Sequence, residues 1–289
     1  MYALIEQLTL GGAFALSPVC SALEVSRAGY YAWLGAAQSL RAQQDRQLMP
    51  LIHDIFWQHK RCYGARRIAV EMQARGRPCG VDRVAKLLKI QGLKAIQPQA
   101  FKTQTTHSRH VLGYSPNLLQ RSSPPAQLNR VWVVDITYIP LQEAAFAYLA
   151  LVLDLCSRRV VGWSLAEQMT DALVIDALQH AIADRQPPPE LLHHSDRGGQ
   201  YASCAYRGVL RRAAMRQSMS RAANCYDNAF MESCFGTIKT ELEVTEYPNS
   251  RQARHDIASY LAYYNHQPRH SALNYLAPAA FEAQINRSN

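Results

Sequence analysis

The chain has 289 residues, 48% of them hydrophobic, with a formal charge of +9 at pH 7. This is enough apolar material for a full core plus one or two smaller units, which excludes a disordered tail. The charge is segregated: residues 1–130 carry 17 Lys and Arg against 6 Asp and Glu, and residues 131–289 carry 14 against 16, so the front half suits an anionic partner such as nucleic acid better than a uniformly solvated surface does.

The apolar stretch Leu8 to Ala22 has no positively charged flank and is broken by Pro18, which argues against a signal peptide. No later run of some 18 uncharged apolar residues predicts a membrane span, so a soluble, cytoplasmic protein is expected. From Ser17 to Leu34 the sequence predicts two short helices, with Ser17 capping the first, Pro18 at its first position and Ser26 capping the second. This is either a small helix-turn-helix or a plain helical hairpin burying Tyr30, Tyr31 and Trp33. A polar helix follows from Gln38 to Trp57, and residues 1–50 form a first helical segment.

Residues 51–101 predict a basic helix-turn-helix-like unit. Ile68, Val70 and Met72 precede the turn Arg75-Gly-Arg-Pro-Cys-Gly80, after which Val81, Val84, Leu87 and Leu88 recur at helical spacing. Arg61, Arg66, Arg67, Arg75, Arg77, Arg83, Lys86, Lys89 and Lys94 decorate it. Such a pair can clamp phosphates and lay its second helix in the major groove, and Arg66, Arg67, Arg83 and Lys86 are the candidate DNA contacts. The plainer alternative is a basic bundle that only positions other parts. His53, His59, Cys62 and Cys79 invite a zinc reading, but 16 residues separate the two cysteines, and satisfied side chains are the better account. The seven cysteines, an odd number without a Cys-x-x-Cys pair, fit a reducing compartment better than a disulfide scaffold.

Residues 102–128, rich in Thr, Ser and Pro, have no sustained periodicity and predict a linker. The pattern then turns to β. Arg130 to Ile139, Ala147 to Leu155 and Arg159 to Leu165 predict an antiparallel meander. Thr170 caps a helix from Asp171 to Asp184, stopped by Pro187 to Pro189. A strand from Leu191 to His194, a helix from Tyr201 to Ala213, a strand from Met215 to Met219 and a helix from Phe230 to Glu241 complete the series. This is the element order of the ribonuclease H-like fold, with a five-stranded mixed sheet over 129–241 and a helical extension over 242–289.

Three acids stand at telling places: Asp135 in the first strand, Asp196 just after the fourth and Glu232 on the last core helix. Thirty-five residues separate Asp196 from Glu232, and Lys239 lies seven positions beyond the glutamate. A lone carboxylate amid Val133, Val134 and Ile136 needs a partner, and three acids can hold hard divalent ions of the kind that activate a nucleophile and stabilise a leaving oxygen in phosphodiester chemistry. Lys239, nearly on the glutamate's face of the helix, is placed to hold a DNA phosphate. Asp154 reads as a turn cap, Asp227 as a helix cap and Gly198-Gly199 as a turn or mobile loop. His193 and His194, adjacent in a strand, point opposite ways.

The spacing resembles the Asp, Asp, 35, Glu signature of retroviral integrases and bacterial transposases. Trp-Val-Val-Asp-Ile-Thr-Tyr-Ile, His-Ser-Asp-Arg-Gly-Gly-Gln-Tyr, Asn-Cys-Tyr-Asp-Asn-Ala-Phe-Met-Glu and Tyr-Tyr-Asn-His-Gln-Pro-Arg-His-Ser-Ala-Leu look like the second-frame product of bacterial insertion sequence family three, from about residue 17 onward. The resemblance implies a transposase that cuts and joins strands at element ends using two Mg²⁺ ions, or Mn²⁺, held by Asp135, Asp196 and Glu232. It also implies an upstream-frame product carrying a sequence-reading helix-turn-helix, and homo-oligomers on DNA. The alternative is a non-catalytic DNA-binding regulator of transposition.

Overall fold

The computed structural model describes residues 1–10, 12, 14–37, 39–96, 113–119, 125–144, 146–220, 229–242 and 246–288. They fall into two units, Met1–Ala95 and Ile96–Asn289.

The first unit is helical: α1 (Tyr2–Thr9), α2 (Leu16–Ala22), α3 (Arg27–Ala37), α4 (Leu40–Gln58), α5 (Ala65–Ala74) and α6 (Val81–Ile90). Helices α1 to α3 gather Ile5, Val19, Cys20 and Tyr30 into a small core, and the Tyr2 ring stacks on Trp33 at 5.9 Å. Tyr31, expected inside, is 60% exposed because adjacent residues do not share a helical face. Ser26 caps α3 as expected, its Oγ accepting from the Gly29 N–H at 3.0 Å. Ser17 does not cap α2. That helix starts two residues earlier, at Leu16, with Ala15 in the cap position, and Pro18 is tolerated because the first-turn N–H groups have no intrahelical acceptor. Pro50 lies inside α4. Helices α4 to α6 bury Ile52, Ile55, Phe56, Ile68, Met72, Val84, Leu87 and Leu88 against one another, which follows the helical spacing read along α6 except at Val81, which is exposed.

The second unit is built on β1 (Val131–Pro140), β2 (Phe146–Asp154), β3 (Val160–Ala166), β4 (Leu192–Ser195) and β5 (Arg216–Met219), in the spatial order β3-β2-β1-β4-β5. β1 pairs antiparallel with β2, and β2 with β3, while β1–β4 and β4–β5 are parallel. That mixed five-stranded order, with helices on both faces, is the ribonuclease H-like arrangement. Alternation along the strands separates the faces. Val133, Leu149, Leu151 and Leu153 meet Met231, Phe235 and Ile238 of α10 (Ala229–Leu242) and Ile257, Tyr260 and Leu261 of α11 (Ser250–His266). Trp132, Val134, Ala150 and Val152 meet α7 (Asp171–Arg185) and the Tyr206, Val209 and Leu210 side chains of α9 (Cys204–Arg212). The expected continuous helix from Tyr201 to Ala213 is broken. A short α8 (Gly199–Ala202) ends at Ser203, which is extended and caps α9 by accepting from the Tyr206 N–H at 3.2 Å. Thr170 occupies the cap position of α7 without a side-chain cap bond.

Two peripheral features complete this unit. Of the expected linker, residues 102–112 and 120–124 lie outside the described residues, but Gly113 to Leu119 runs beside β5. There the Leu118 N–H donates to Ser218 Oγ at 2.8 Å, Ser115 Oγ to Gln217 Oε1 at 2.9 Å and Arg207 to the Gly113 carbonyl at 2.8 Å. At the other side of the sheet, the Asn265 amide accepts from the Val160 N–H at 3.0 Å and donates to its carbonyl at 2.9 Å. The last helix, α12 (Pro278–Ser288), is anchored by buried Glu282, which accepts from Arg185 at 2.8 and 2.9 Å, Arg159 at 2.7 Å and Ser157 Oγ at 2.8 Å. Among the described residues no helix is long and apolar enough to cross a membrane.

Candidate active site

Strand register sets the first two acids side by side. β1 and β4 are parallel with Val131 opposite Leu192 and Val133 opposite His194. The same offset, continued by two residues, brings Asp135 level with Asp196, the first residue beyond β4. Asp135 Oδ1 accepts from the Ile136 N–H at 2.8 Å. Asp196 Oδ1 accepts from the Gly198 N–H at 2.9 Å, a local turn bond of the kind Asp side chains form. A Cβ on Gly198 would stand 3.1 Å from that oxygen, so glycine lets the loop close on the carboxylate. Gly199 opens α8 rather than extending the turn.

Helix α10 brings the remaining two groups. It packs Met231, Cys234, Phe235 and Ile238 on the sheet, leaving Glu232 exposed and Lys239 half-buried. The Arg158 guanidinium lies 4.0 Å over the Phe230 ring and pins the first turn of that helix. Asp227, expected to cap it, lies outside the described residues.

Electrostatics tie the four together. Burial and the neighbouring Asp196 charge push the Asp135 carboxyl well above 3.8, with a further upward push from Glu232, against the lowering effects of the Ile136 amide and Lys239. Burial pulls the Lys239 ammonium below 10.5, an effect that Asp135 opposes. Asp135 is therefore the point at which the fields of the other three converge. On Asp135 the Asp196 charge acts more strongly than the Glu232 charge. Among the described residues no three His, Cys, Asp or Glu side chains stand close enough to hold an ion as they are.

Around this group sit residues whose roles differ from one another. Asp154 is fully buried and caps the turn after β2, accepting from the N–H groups of Asn129, Cys156 and Ser157 at 2.7 to 3.0 Å. His193 and His194 are both buried and bonded apart, His193 Nε2 to the Tyr206 hydroxyl at 2.7 Å and His194 Nδ1 to Ser218 Oγ at 2.8 Å. Burial, aided by His194, lowers the His193 pKa to about 3, so this ring is neutral. Tyr201, which the sequence marks only as the start of a helix, closes the same His-Ser-Asp-Arg-Gly-Gly-Gln-Tyr segment. Its phenol is pushed up by burial and by the Asp135 and Asp196 charges.

In the first unit, Arg66, Lys86 and Lys89 are exposed, whereas Arg67 lies over the Tyr63 ring at 5.6 Å. Arg83 is engaged within the unit, its Nε 2.7 Å from Asp45 Oδ1 on α4. His59 stacks on Tyr63 at 3.8 Å, and His53 Nε2 accepts from Trp57 at 3.1 Å.

Three family descriptions match the chain. An integrase core domain matches residues 125–225, a second integrase core domain matches 213–278, and an HTH-like domain matches 43–101. The Shigella sonnei "Insertion element IS600 uncharacterized 31 kDa protein" is 39% identical over 271 residues, covering 93% of this chain and 99% of that protein. The Escherichia coli K12 "Transposase InsF for insertion sequence IS3A" is 38% identical over 273 residues, 93% of this chain and 94% of the relative. Among solved structures, the HTLV-2 integrase catalytic core domain in complex with magnesium aligns with a TM-score of 0.43 at 18% identity, over 53% of this chain and 95% of that one.

Proposed function

This chain belongs to the family of insertion-sequence transposases that includes InsF of IS3, and from that premise we propose that it cuts and joins DNA strands at element ends with Asp135, Asp196 and Glu232 as its catalytic acids. The reading is carried by one observation: the convergence of Asp196, Glu232 and Lys239 on the carboxyl of Asp135. The donor set suits a hard divalent cation. All three acids offer oxygen; burial first and then the Asp196 charge raise the Asp135 pKa, and a bound cation would offset both by stabilising the ionised carboxyl. Mg²⁺, with Mn²⁺ as its substitute, would supply nucleophile activation and leaving-group stabilisation, in a pair of ions as phosphoryl-transfer sites use them.

The chain's own residues do the rest. Asp135 lies between Asp196 and α10 and is the natural shared ligand, and the Gly198 amide keeps one Asp196 oxygen oriented. Glu232, exposed on α10, completes the set on engagement of DNA. Lys239 holds a phosphate beside the acids. The front unit, residues 51–101, grips the duplex through Arg66, Arg67, Lys86 and Lys89, with Arg83 acting through its bond to Asp45. Phosphate contacts of this kind position DNA without reading it, so recognition of element ends falls to the upstream-frame product. The chain works in the bacterial cytoplasm, as a homo-oligomer on DNA.

The test is strand transfer on short element-end DNA with Mg²⁺. Asp135→Asn, Asp196→Asn and Glu232→Gln each abolish cleavage and joining while DNA binding persists. A variant retaining near-parental activity removes that residue from the site.

A further inference from the structure

Burying a hydroxyl without a hydrogen-bond partner is unfavourable, and such a group in a folded chain calls for a reason. Tyr201 is 2% exposed, and its hydroxyl has no partner among the described residues. The ring itself is firmly held. It meets Tyr206 edge-on at 5.5 Å, its N–H donates to the Gly198 carbonyl at 3.1 Å, and its carbonyl accepts from the Gln217 amide at 2.6 Å. None of these contacts uses the hydroxyl, so packing alone is served equally by phenylalanine.

Burial, and after it the Asp135 and Asp196 charges, raise the phenol's pKa and keep it a donor. Geometry agrees with this: a Cβ on Gly198 would meet Asp196 Oδ1 at 3.1 Å and Tyr201 Cδ2 at 3.4 Å, so the ring and the carboxylate flank one glycine.

We propose that the Tyr201 hydroxyl is a positioning donor for the Asp135–Asp196 carboxylate pair, orienting one of their oxygens when a divalent cation is bound, and that it touches neither DNA nor the reacting phosphate. The proposal rests on reading these acids as cation ligands. Its physical basis is that a ligating carboxylate is held in orientation by outer hydrogen bonds, whose loss weakens metal affinity by about 10- to 100-fold. The hydroxyl is left idle while the two acids repel each other, and it gains its acceptor once they are drawn to a common charge.

The experiment uses the full chain, with Mn²⁺ titrated by calorimetry and thermal unfolding followed with and without the ion. Tyr201→Phe is expected to melt at or above the parental temperature without metal, since it removes an unpaired buried group, and to bind Mn²⁺ about tenfold more weakly. Asp135→Asn is expected to lose the binding heat altogether. If Tyr201→Phe binds Mn²⁺ as the parent does, this inference is overturned and the reading of the acids stands. A metal-free Tyr201→Phe that melts below the parent overturns it too, because the hydroxyl then has a partner in the metal-free chain. If Asp135→Asn binds Mn²⁺ as the parent does, the reading of the acids fails and the inference falls with it.

Discussion

A close approach between α7 and β3 runs through Gly162. It stands in β3 opposite Val152, and a Cβ there would collide with the Ala177 carbonyl oxygen and lie 2.7 Å from Ala181 Cβ and 2.8 Å from Ala181 N. Ordinary contact begins near 3.4 Å, so Gly162→Ala forces α7 away from β3 by roughly 1 Å, a gap that forfeits a quarter to a half of each dispersion contact along the interface. The interface holds Leu173, Val174, Ala177, Leu178 and Ala181, and the obstructing atoms include backbone, which cannot swing aside. The cost is expected at the upper end of overpacking, about 3 kcal/mol. For a unit of this size that lowers the melting temperature by about 6–12 °C. Gly236→Ala is the matched control: it lies inside α10, nothing stands within 4 Å of its Cβ, and alanine there should add about 0.5–1 kcal/mol. Differential scanning calorimetry of the full chain reads both. If the two variants shift the transition in the same direction, or Gly162→Ala melts within about 2 °C of the parent, the account of the α7–β3 contact is wrong.

Asp135→Asn should stabilise the metal-free chain at neutral pH while abolishing activity. A carboxyl raised above its unfolded pKa of about 3.8 lowers stability as pH rises toward the folded value, so the gain, about 1–2 kcal/mol, is absent below about pH 4 and grows above it; a pH series of melts in chelator checks it. Glu282→Gln should cost about 3 kcal/mol by leaving Arg185 and Arg159 without their buried carboxylate. Desolvation raises the Glu282 pKa, but the bonds from Arg185, Arg159 and Ser157 outweigh it and hold the group below 4.5. The parental advantage should therefore be present above that pH and fade as acid is added, as denaturant midpoints at two pH values can test. Lys86→Ala and Lys89→Ala should each reduce the salt slope of DNA binding by about 1. Arg83→Ala should instead lower stability by about 1 kcal/mol through loss of the Asp45 pair; a change in salt slope with unchanged melting reverses that assignment.

What the sequence made legible was local. Strands β1 to β3 announce themselves because their residues alternate between two buried faces, and their ends differ from expectation by only a residue. Asp135 and Asp196 stand out because each interrupts an apolar strand or its end, and their meeting follows from parallel register. The unread parts depend on residues remote in sequence. Ser157 and Glu282 are 125 positions apart, and Arg83 and Asp45 are 38 apart, so neither pair leaves a periodic trace. Tyr201 was visible as a letter, but its isolation is a property of what surrounds the hydroxyl. The break at Ser203 lay hidden because a serine inside a helical pattern signals a cap only once the chain before it turns extended.

The Gly113–Leu119 segment has a consequence for how copies of this chain can gather. A border strand with free N–H and carbonyl groups is a template on which another chain can add a strand. Here β5 has that segment laid along it, and the start of β3 has the Asn265 amide bonded to Val160 in place of a neighbouring strand. Sheet extension from one copy of the chain into another is thus blocked at these positions.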